Sequence, residues 1–374
     1  MTAQAILNRA DFRTALALAV KIVERRNTTP ILSNIALRSV GDSVTVQSTD
    51  LDIQATITMP GTLADNAFST TIPAHLVRDI ERKAPASDDV EMTTDGTKST
   101  MRLGRVKFDV MGIDPADWEE LAVTGKINAD FLANAGAIID ALAFCEGAIS
   151  TEETRYCLNG VYMHSARNEN GADVLRFVAT DGHRLRCRDI PLAMLSEEAG
   201  AQLPNMPGVI IPRKTVAFML DVFGRKNAPD DVRIVVNTSK ARFVSGNVDI
   251  VTKLIDGTFP DYSRVVPKRG DKVAKVDRKD LAECIKAVTC ISSERGRAVK
   301  LAFETGNLTL SVHNPDAGCS ETVLTCTYEG EPLEIGFNAT YLLAECANYA
   351  NDALTLQLSE SGSPALIHAG ADKG

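Results

Sequence analysis

The chain has 374 residues, a length that corresponds to about two to four domains of ordinary size. Hydrophobic residues make up 44% and charged residues 24% of it, which excludes global disorder and a collagen-like chain. The formal net charge is −9, and such an acidic balance, taken over the whole chain, argues against a nucleic-acid partner.

Missing motifs exclude several classes of protein. No window reaches the roughly 18 consecutive apolar residues of a membrane-spanning helix, and the N-terminus has no signal-peptide pattern. The eight cysteines show no C-x-x-C spacing, which fits free thiols in a reducing cytoplasm. The five histidines form no metal-binding pattern, and no glycine-rich phosphate motif is present. We therefore expect no metal and no cofactor.

The first third of the chain predicts two helices with strands between and after them. A helix opens in segment 8–12, with an acidic residue in its first turn where the helix dipole favours negative charge. Residues 44–50 alternate with the period of a strand. Segment 71–77 predicts a strand that runs through a proline into a second helix. Closing strands are predicted within residues 100–110.

The middle third repeats these signals in the same order. Segment 127–131 predicts the opening of a helix, residues 174–181 alternate as a strand, and segment 210–216 predicts a strand entering a helix. Residues 232–244 and 248–257 predict the closing strands. The repetition indicates a duplicated structural unit.

The last third contains a further copy. Segment 277–281 predicts a helix start, residues 307–312 a strand, and segment 335–342 a strand entering a helix that Asn338 caps. In the earlier copies the closing strand begins 35 or 36 residues after the helix signal, which here corresponds to residue 374. We therefore expect the third copy to lack its closing strand.

Three copies of one unit predict the fold class and the domain boundaries. Each copy predicts two helices packed on an antiparallel sheet, an α+β arrangement. The predicted domains are 1–125, 126–266 and 267–374.

Longer motifs carry a resemblance to a known family. They occur in order over nearly the whole chain, and they are long enough to be specific: 30–34 (PILSN), 154–162 (TRYCLNGVY), 179–185 (ATDGHRL), 211–214 (IPRK), 253–257 (KLIDG) and 259–262 (FPDY). In these motifs the chain resembles the bacterial DNA sliding clamps, the beta subunits of DNA polymerase III.

The resemblance implies a head-to-tail homodimer that closes a ring with pseudo-sixfold symmetry, with helices lining the hole and sheets outside. Such a ring encircles duplex DNA without sequence preference and tethers polymerase, so it acts as a non-catalytic processivity factor. Implied partners are the alpha subunit of DNA polymerase III, the clamp loader, other polymerases and mismatch-repair proteins.

Sliding requires attraction to phosphates without base readout, which long basic side chains provide. Basic residues outnumber acidic ones by three in segment 9–26 and by three in segment 213–226. The expected DNA contacts are Arg25, Arg26, Arg213, Lys214 and Lys253. Because these cations cluster, we expect the excess of acidic residues to lie elsewhere. The net charge of −9 is then compatible with a protein that holds DNA only inside the ring.

The resemblance also implies a groove that binds short linear motifs of partner proteins near the boundary of the second and third domains. The matching residues are Arg155, Leu158, Thr180, Gly182, His183, Arg184, Leu185, Pro260 and Val265. The apolar members suit a Leu or Phe anchor, and the arginines suit carbonyls or carboxylates at the rim. Cys157 departs from the aromatic residue of many relatives, and their C-terminal groove segment is not found before Gly374.

Two other functions stay open at the level of sequence. Cys157, His183 and Asp181 could form the nucleophile, base and orienting acid of a cysteine hydrolase, although no oxyanion-hole glycine motif accompanies them. A ring or arc scaffold without a DNA role is the second alternative.

Overall fold

In the computed structural model, the described residues are 3–63, 68–225, 229–267, 270–292 and 297–369. They form three successive sets of strands and helices, which confirms the α+β class. The chain divides into two compact units, residues 1–259 and 260–374. The first unit holds two sets, called here the first and second repeats, and the second unit holds the third repeat.

The described part of the first repeat has two helices and eight strands. In chain order these are β1 (Ala3–Asn8), α1 (Arg9–Ile22), β2 (Asn34–Val40), β3 (Ser43–Thr49), β4 (Ile53–Leu63), β5 (Ser69–Pro73), α2 (Ala74–Lys83), β6 (Asp89–Thr94), β7 (Lys98–Leu103) and β8 (Val106–Met111).

The second repeat has the same order with one additional short helix, α4. Its elements are β9 (Ala129–Asn134), α3 (Ala135–Glu146), β10 (Gly160–Arg167), β11 (Asp173–Thr180), β12 (Leu185–Pro191), α4 (Glu197–Gln202), β13 (Val209–Pro212), α5 (Arg213–Phe223), β14 (Asp231–Val236), β15 (Lys240–Ser245) and β16 (Val248–Lys253).

The third repeat follows the same plan. It comprises β17 (Lys272–Asp277), α6 (Arg278–Val288), β18 (Ala298–Glu304), β19 (Asn307–Asn314), β20 (Gly318–Tyr328), β21 (Leu333–Asn338), α7 (Ala339–Asn348), β22 (Ala353–Leu358) and β23 (Leu366–Ala369). Within the described range 297–369, two strands follow α7, whereas three follow both α2 and α5. The prediction that the third closing strand is missing stays a prediction, because residue 374, where that strand would begin, lies outside the described residues.

Antiparallel sheets connect these elements. In the first unit one sheet runs in the order β8-β7-β6-β1-β4-β16-β15-β14-β9, with β3, β2 and β5 branching from β4. A second sheet has the order β12-β11-β10-β13, and the third repeat forms the sheet β21-β18-β19-β20-β17-β22-β23. The β4–β16 pair, with Ile57 opposite Val248 and Ile53 opposite Thr252, joins the first two repeats.

The helices cover the sheets in pairs. Helix α1 packs beside α2, α3 beside α5 and α6 beside α7. Helix α1 buries Phe12, Leu16 and Ala19, whose spacing puts them on one helical face. One apolar core extends through the first unit, and a separate core fills the second. Among the described residues, no helix is long and apolar enough to cross a membrane.

The predicted strands at 44–50, 174–181 and 307–312 are confirmed, as are the three segments in which a strand enters a helix. The helix predicted to open at 127–131 is wrong, because those residues lead into and begin strand β9. Ala129 and Phe131 alternate with exposed or half-buried neighbours, so they fit a half-buried strand. The helix instead begins at Ala135, where the Asn134 side chain accepts a hydrogen bond from Ala137 N.

Candidate functional site

The end of helix α1 and the start of helix α5 meet at one place. Lys214 Nζ donates to the carbonyl oxygen of Ile22 at 3.2 Å, and it pairs with Glu24 Oε1 at 3.4 Å and Asp50 Oδ2 at 2.5 Å. An ammonium group there stabilises the negative end of the α1 dipole. Predicted DNA contacts from two repeats are therefore neighbours in space.

The five predicted DNA contacts differ in their surroundings. Lys253 Nζ pairs with Asp52 Oδ1 at 3.1 Å, so both lysines are partly neutralised by acids. Arg25 and Arg26 are exposed just after α1, and Arg213 is exposed at the first position of α5. Within the described part of the chain, no carboxylate lies within ion-pair distance of these three guanidinium groups. They are therefore the cations best able to reach a phosphate.

The end of β11 and the loop that follows it carry four of the predicted groove residues in a fixed conformation. Thr180 Oγ1 donates to the carbonyl oxygen of Arg184 at 2.7 Å and accepts from Gly182 N at 3.1 Å. Asp181 Oδ1 accepts from the backbone N–H groups of His183 and Arg184, each at 3.0 Å. Asp181 Oδ2 also pairs with Arg184 Nε at 3.1 Å. The loop is held by its own side chains, as in an Asx-turn.

Arg155 lies over this loop. Gly182 has φ +88°, and a Cβ placed on it would come within 2.6 Å of Arg155 Nη1. The backbone conformation therefore favours glycine, and a Cβ at this position would displace the guanidinium group of Arg155. Glu152 Oε2 lies 3.2 Å from Arg155 Nε and orients the side chain. The structure thus brings Arg155 and the loop together.

The remaining groove residues of the first unit lie at the ends of two elements. Leu158 is buried at the end of the 3-10 helix Glu153–Leu158, and Leu185 is half-buried at the start of β12. Tyr156, which sequence reasoning did not select, is 57% exposed. It lies against Gly257, where an added Cβ would be 3.1 Å from its ring. Its place in the TRYCLNG motif was the available signal.

Pro260 and Val265 lie in the second unit, at either end of a short turn. Both are exposed, and the 3-10 helix Tyr262–Arg264 lies between them. Asp261 Oδ1 accepts from Ser263 N at 3.2 Å and caps this turn. A hydrogen bond from the Ser263 hydroxyl, together with the charge of Arg264, lowers the pKa of Asp261.

Comparisons with known proteins agree across the chain. Family models of the DNA polymerase III beta subunit match its N-terminal domain at residues 3–122, its central domain at 132–261 and its C-terminal domain at 263–374. The beta sliding clamp of Caulobacter vibrioides is 37% identical, over 98% of this chain and 96% of its own. The chain belongs to the DNA polymerase III beta subunits, the bacterial sliding clamps.

Solved structures of clamps have the same fold. A sliding clamp from Bartonella birtlesii bound to griselimycin superimposes with a TM-score of 0.91 and 38% identity, covering 100% of this chain and 97% of that one. The Caulobacter crescentus clamp, with polyethylene glycol bound to its putative beta-motif tethering region, gives a TM-score of 0.91 at 36% identity, with the same coverage of both chains.

Family membership decides between the functions that the sequence left open. The protein is a DNA sliding clamp, a non-catalytic processivity factor that works as a homodimer and tethers DNA polymerase to duplex DNA. The hydrolase alternative also has a geometric difficulty. Both carboxylate oxygens of Asp181 bind its own loop and Arg184, so this acid serves the loop conformation.

Proposed function

We propose that the clamp contacts the DNA backbone where α1 and α5 meet, and that Arg25, Arg26 and Arg213 are the principal contacts. The observation that carries this proposal is the exposure of three arginines beside Lys214, contributed by two repeats. Lys214 and Lys253 already pair with carboxylates that offset part of their charge, so we assign them a smaller share. The remaining acids keep the outer surface unattractive to DNA.

Partner proteins are proposed to bind the groove formed by Arg155, the loop of residues 180–185 and the residues around it. The polymerase alpha subunit is the first such partner, and the clamp loader, other polymerases and mismatch-repair proteins use the same groove. Leu158 and Leu185 receive the apolar anchor, whereas the part assigned to Pro260 and Val265, in the second unit, is what the family resemblance implies. We also propose the domain boundaries 1–125, 126–266 and 267–374, and a cytoplasmic location.

The proposed DNA contact is tested by retention on circular DNA. Loaded clamp should stay on nicked circular plasmid and leave after linearisation, because a ring slides off free ends. Arg26→Ala with Arg213→Ala should shorten retention and lower the salt dependence of binding by about one counterion per arginine. Arg233→Ala is the matched control, because Arg233 on β14 pairs with Asp130 on β9. The proposal would be contradicted if the clamp stayed on linearised DNA as long as on circular DNA, or if the Arg233→Ala control lost as much retention as the double variant.

The ring itself is proposed to close by repeating the β4–β16 pairing between protomers. In the third repeat the counterpart of β4 is β20, because each is the fourth strand of its repeat. In the first repeat the counterpart of β16 is β8, the closing strand. Among the described residues, β7 is the one strand that pairs with β8, so the other edge of β8 is open. We infer that β8 of one protomer pairs with β20 of its partner.

The internal repeat also fixes the register. Gln54 pairs with Thr49 across the loop before β4, as Cys319 pairs with His313 before β20. Asp249 of β16 lies opposite Thr56 of β4. Lys107 occupies in β8 the position that Asp249 has in β16, and Glu321 occupies in β20 the position that Thr56 has in β4. Lys107 should therefore lie opposite Glu321 of the partner subunit. Opposite charges facing each other across two strands stabilise the pairing.

Charge reversal tests this register. Lys107→Glu and Glu321→Lys should each raise the dimer dissociation constant about tenfold, which corresponds to about 1.4 kcal/mol. The double swap should restore most of the loss. Lys275→Glu is the control, because Lys275 lies on β17, which has strands on both sides. Sedimentation velocity gives the constants, and a double swap no tighter than the singles would reject the register.

A further inference from the structure

A thiol and an imidazole face each other at the end of the hairpin formed by β19 and β20. His313 of β19 is the cross-strand neighbour of Cys319 in β20. His313 Nδ1 lies 2.9 Å from Cys319 Sγ, within hydrogen-bond distance, and both residues are exposed. No role for this pair follows from DNA binding or from the partner groove.

The turn of the hairpin holds the two side chains together. Asn314 and Gly318 form the next cross-strand pair, directly beside them. Asp316 N donates to Asn314 Oδ1 at 3.0 Å, and Asn314 Nδ2 donates to the carbonyl oxygen of Ile291 at 2.6 Å. Because the turn is anchored in this way, the sulfur and the imidazole stay at contact distance.

The pair is particular to the third repeat. At the corresponding place Thr49 faces Gln54 in the first repeat, and Thr180 faces Leu185 in the second. Neither of these pairs contains a thiol or an imidazole. The common fold therefore does not require a cysteine and a histidine at this position.

Cys319 is on the face of the sheet that is turned away from the core, called here the outer face. Leu324, Cys326 and Tyr328 are buried on one face of β20, and strand alternation places Cys319 on the other. Pairing of β20 with a strand of the partner subunit uses backbone groups at the strand edge, so it leaves the outer face open to small molecules.

Three other cysteines show what the imidazole adds. Burial raises the pKa of the Cys187 thiol to about 12 and that of Cys346 to about 11, so both stay protonated. Cys290 is exposed, but its Sγ donates to the carbonyl oxygen of Lys286 at 3.3 Å, an acceptor that does not take up the proton. An imidazole does take it up, and the resulting thiolate is the nucleophile.

We propose that Cys319, with His313 as its base, is a modification site that forms a mixed disulfide with small disulfides such as glutathione disulfide. His313 Nδ1 takes the thiol proton, and Cys319 Sγ attacks one sulfur of the disulfide, whose S–S bond breaks as the new one forms. The leaving thiolate takes the proton from the imidazolium group. One thiol is released for each thiol consumed, and excess thiol reverses the reaction.

The adduct acts on ring closure, an effect that rests on the proposed pairing of β8 with β20. Val251 lies opposite Gln54 in the β4–β16 pair, and the same positions in β8 and β20 are Asp109 and Cys319. Cys319 therefore lies next to the partner subunit's Asp109. A glutathionyl group is an anion, so it repels this carboxylate and weakens the dimer.

Reaction of the full-length dimer with 2-hydroxyethyl disulfide, a neutral probe, tests the site, with peptide mass spectrometry as the readout. An ordinary thiol is only a few per cent ionised at pH 7, so Cys319 should react about tenfold faster than Cys290. His313→Gln should remove this advantage, because glutamine forms hydrogen bonds but does not accept a proton. Equal rates at Cys319 and Cys290, or an unchanged rate at Cys319 in His313→Gln, would overturn the proposal.

Sedimentation velocity of the clamp treated with glutathione disulfide measures the effect on the ring. Treatment should raise the dimer dissociation constant about fivefold, the size expected for like charges opposite each other. Cys319→Ser treated in the same way should show no change. If the Lys107 and Glu321 charge swap fails while Cys319 still reacts selectively, the strand pairing is wrong and the modification site stands. If the swap succeeds but the adduct leaves the constant unchanged, the effect on the ring is rejected.

Discussion

The helix pairs of the first and second repeats are joined by different chemistry on the same scaffold. In the first repeat, Glu81 of α2 accepts from Arg9 Nε at 3.0 Å and from Arg13 Nε at 2.8 Å, both on α1. In the second, the counterparts of Arg9 and Glu81 are Ala135 and Leu220, and the pair is apolar. The fold therefore accepts either an ion pair or an apolar pair between the two helices. How much the ion pair contributes to stability depends on its burial and its hydrogen bonds.

Burial makes the charged solution sensitive to loss of one partner. The side chains of Glu81 and Arg9 are 3% and 7% exposed. Arg9 also donates to the carbonyl oxygens of Glu81 at 2.7 Å and Ala84 at 3.2 Å, so its charge is bound from several sides. Arg9 also donates to the carbonyl oxygen of Pro85 and to the Ser87 hydroxyl, so removing the carboxylate leaves a buried guanidinium group with neutral acceptors alone.

Glu81→Gln should therefore give the largest loss of stability, about 3 kcal/mol, near the lower end for a broken buried ion pair. Urea unfolding of the dimer at fixed protein concentration measures it. Glu91→Gln is the matched control, because Glu91 pairs with Arg102 at 3.7 Å with both side chains about half exposed. The control should lose less than about 1 kcal/mol. Equal losses would show that the burial of Glu81 has no energetic consequence.

The same pair predicts acid sensitivity. Burial alone would raise the pKa of Glu81, but hydrogen bonds and positive charge from Arg13 and Arg9 outweigh it and lower the pKa. A carboxyl with a lowered folded pKa contributes stability above its unfolded pKa and loses it as pH falls through the folded value. The difference in unfolding free energy between wild type and Glu81→Gln should therefore decrease as the pH is lowered from about 6 to about 3. A constant difference would contradict the assignment.

How far the sequence predicts these features depends on the distance between partners. Strand alternation and the segments around Pro73 and Pro212 predict part of the elements correctly, because those signals are local. The helix at 127–131 was misplaced because an acid after a polar residue also occurs in strand β9. The Arg9–Glu81 pair spans 72 residues and gives no local signal. The Thr-Asp sequence of residues Thr49 and Asp50 is the same as that of Thr180 and Asp181. That the two loops have the same conformation is visible only from their hydrogen bonds.

These two loops give the next prediction. Gly182→Ala should cost about 1–2 kcal/mol, because alanine is strained at positive φ. It should also weaken binding of the polymerase alpha subunit about tenfold, since its Cβ displaces the Arg155 guanidinium group. Gly171→Ala is the control: Gly171 has φ +77° but no atom within 4 Å of an added Cβ. It should lose similar stability and keep polymerase binding. Loss of polymerase binding in both variants would show that strain, not Arg155, is responsible.

The loop of the first repeat predicts the smallest change, with the opposite sign. Leu51→Gly relieves the strain of φ +75°, which outweighs the higher entropy of glycine in the unfolded chain and raises stability by up to about 1 kcal/mol. Leu51→Ala removes the same exposed side chain but keeps a Cβ, so it should gain nothing. Thermal unfolding of both variants measures the difference. If glycine and alanine behave alike, the loop carries no strain, and its similarity to the partner-groove loop is confined to hydrogen bonds.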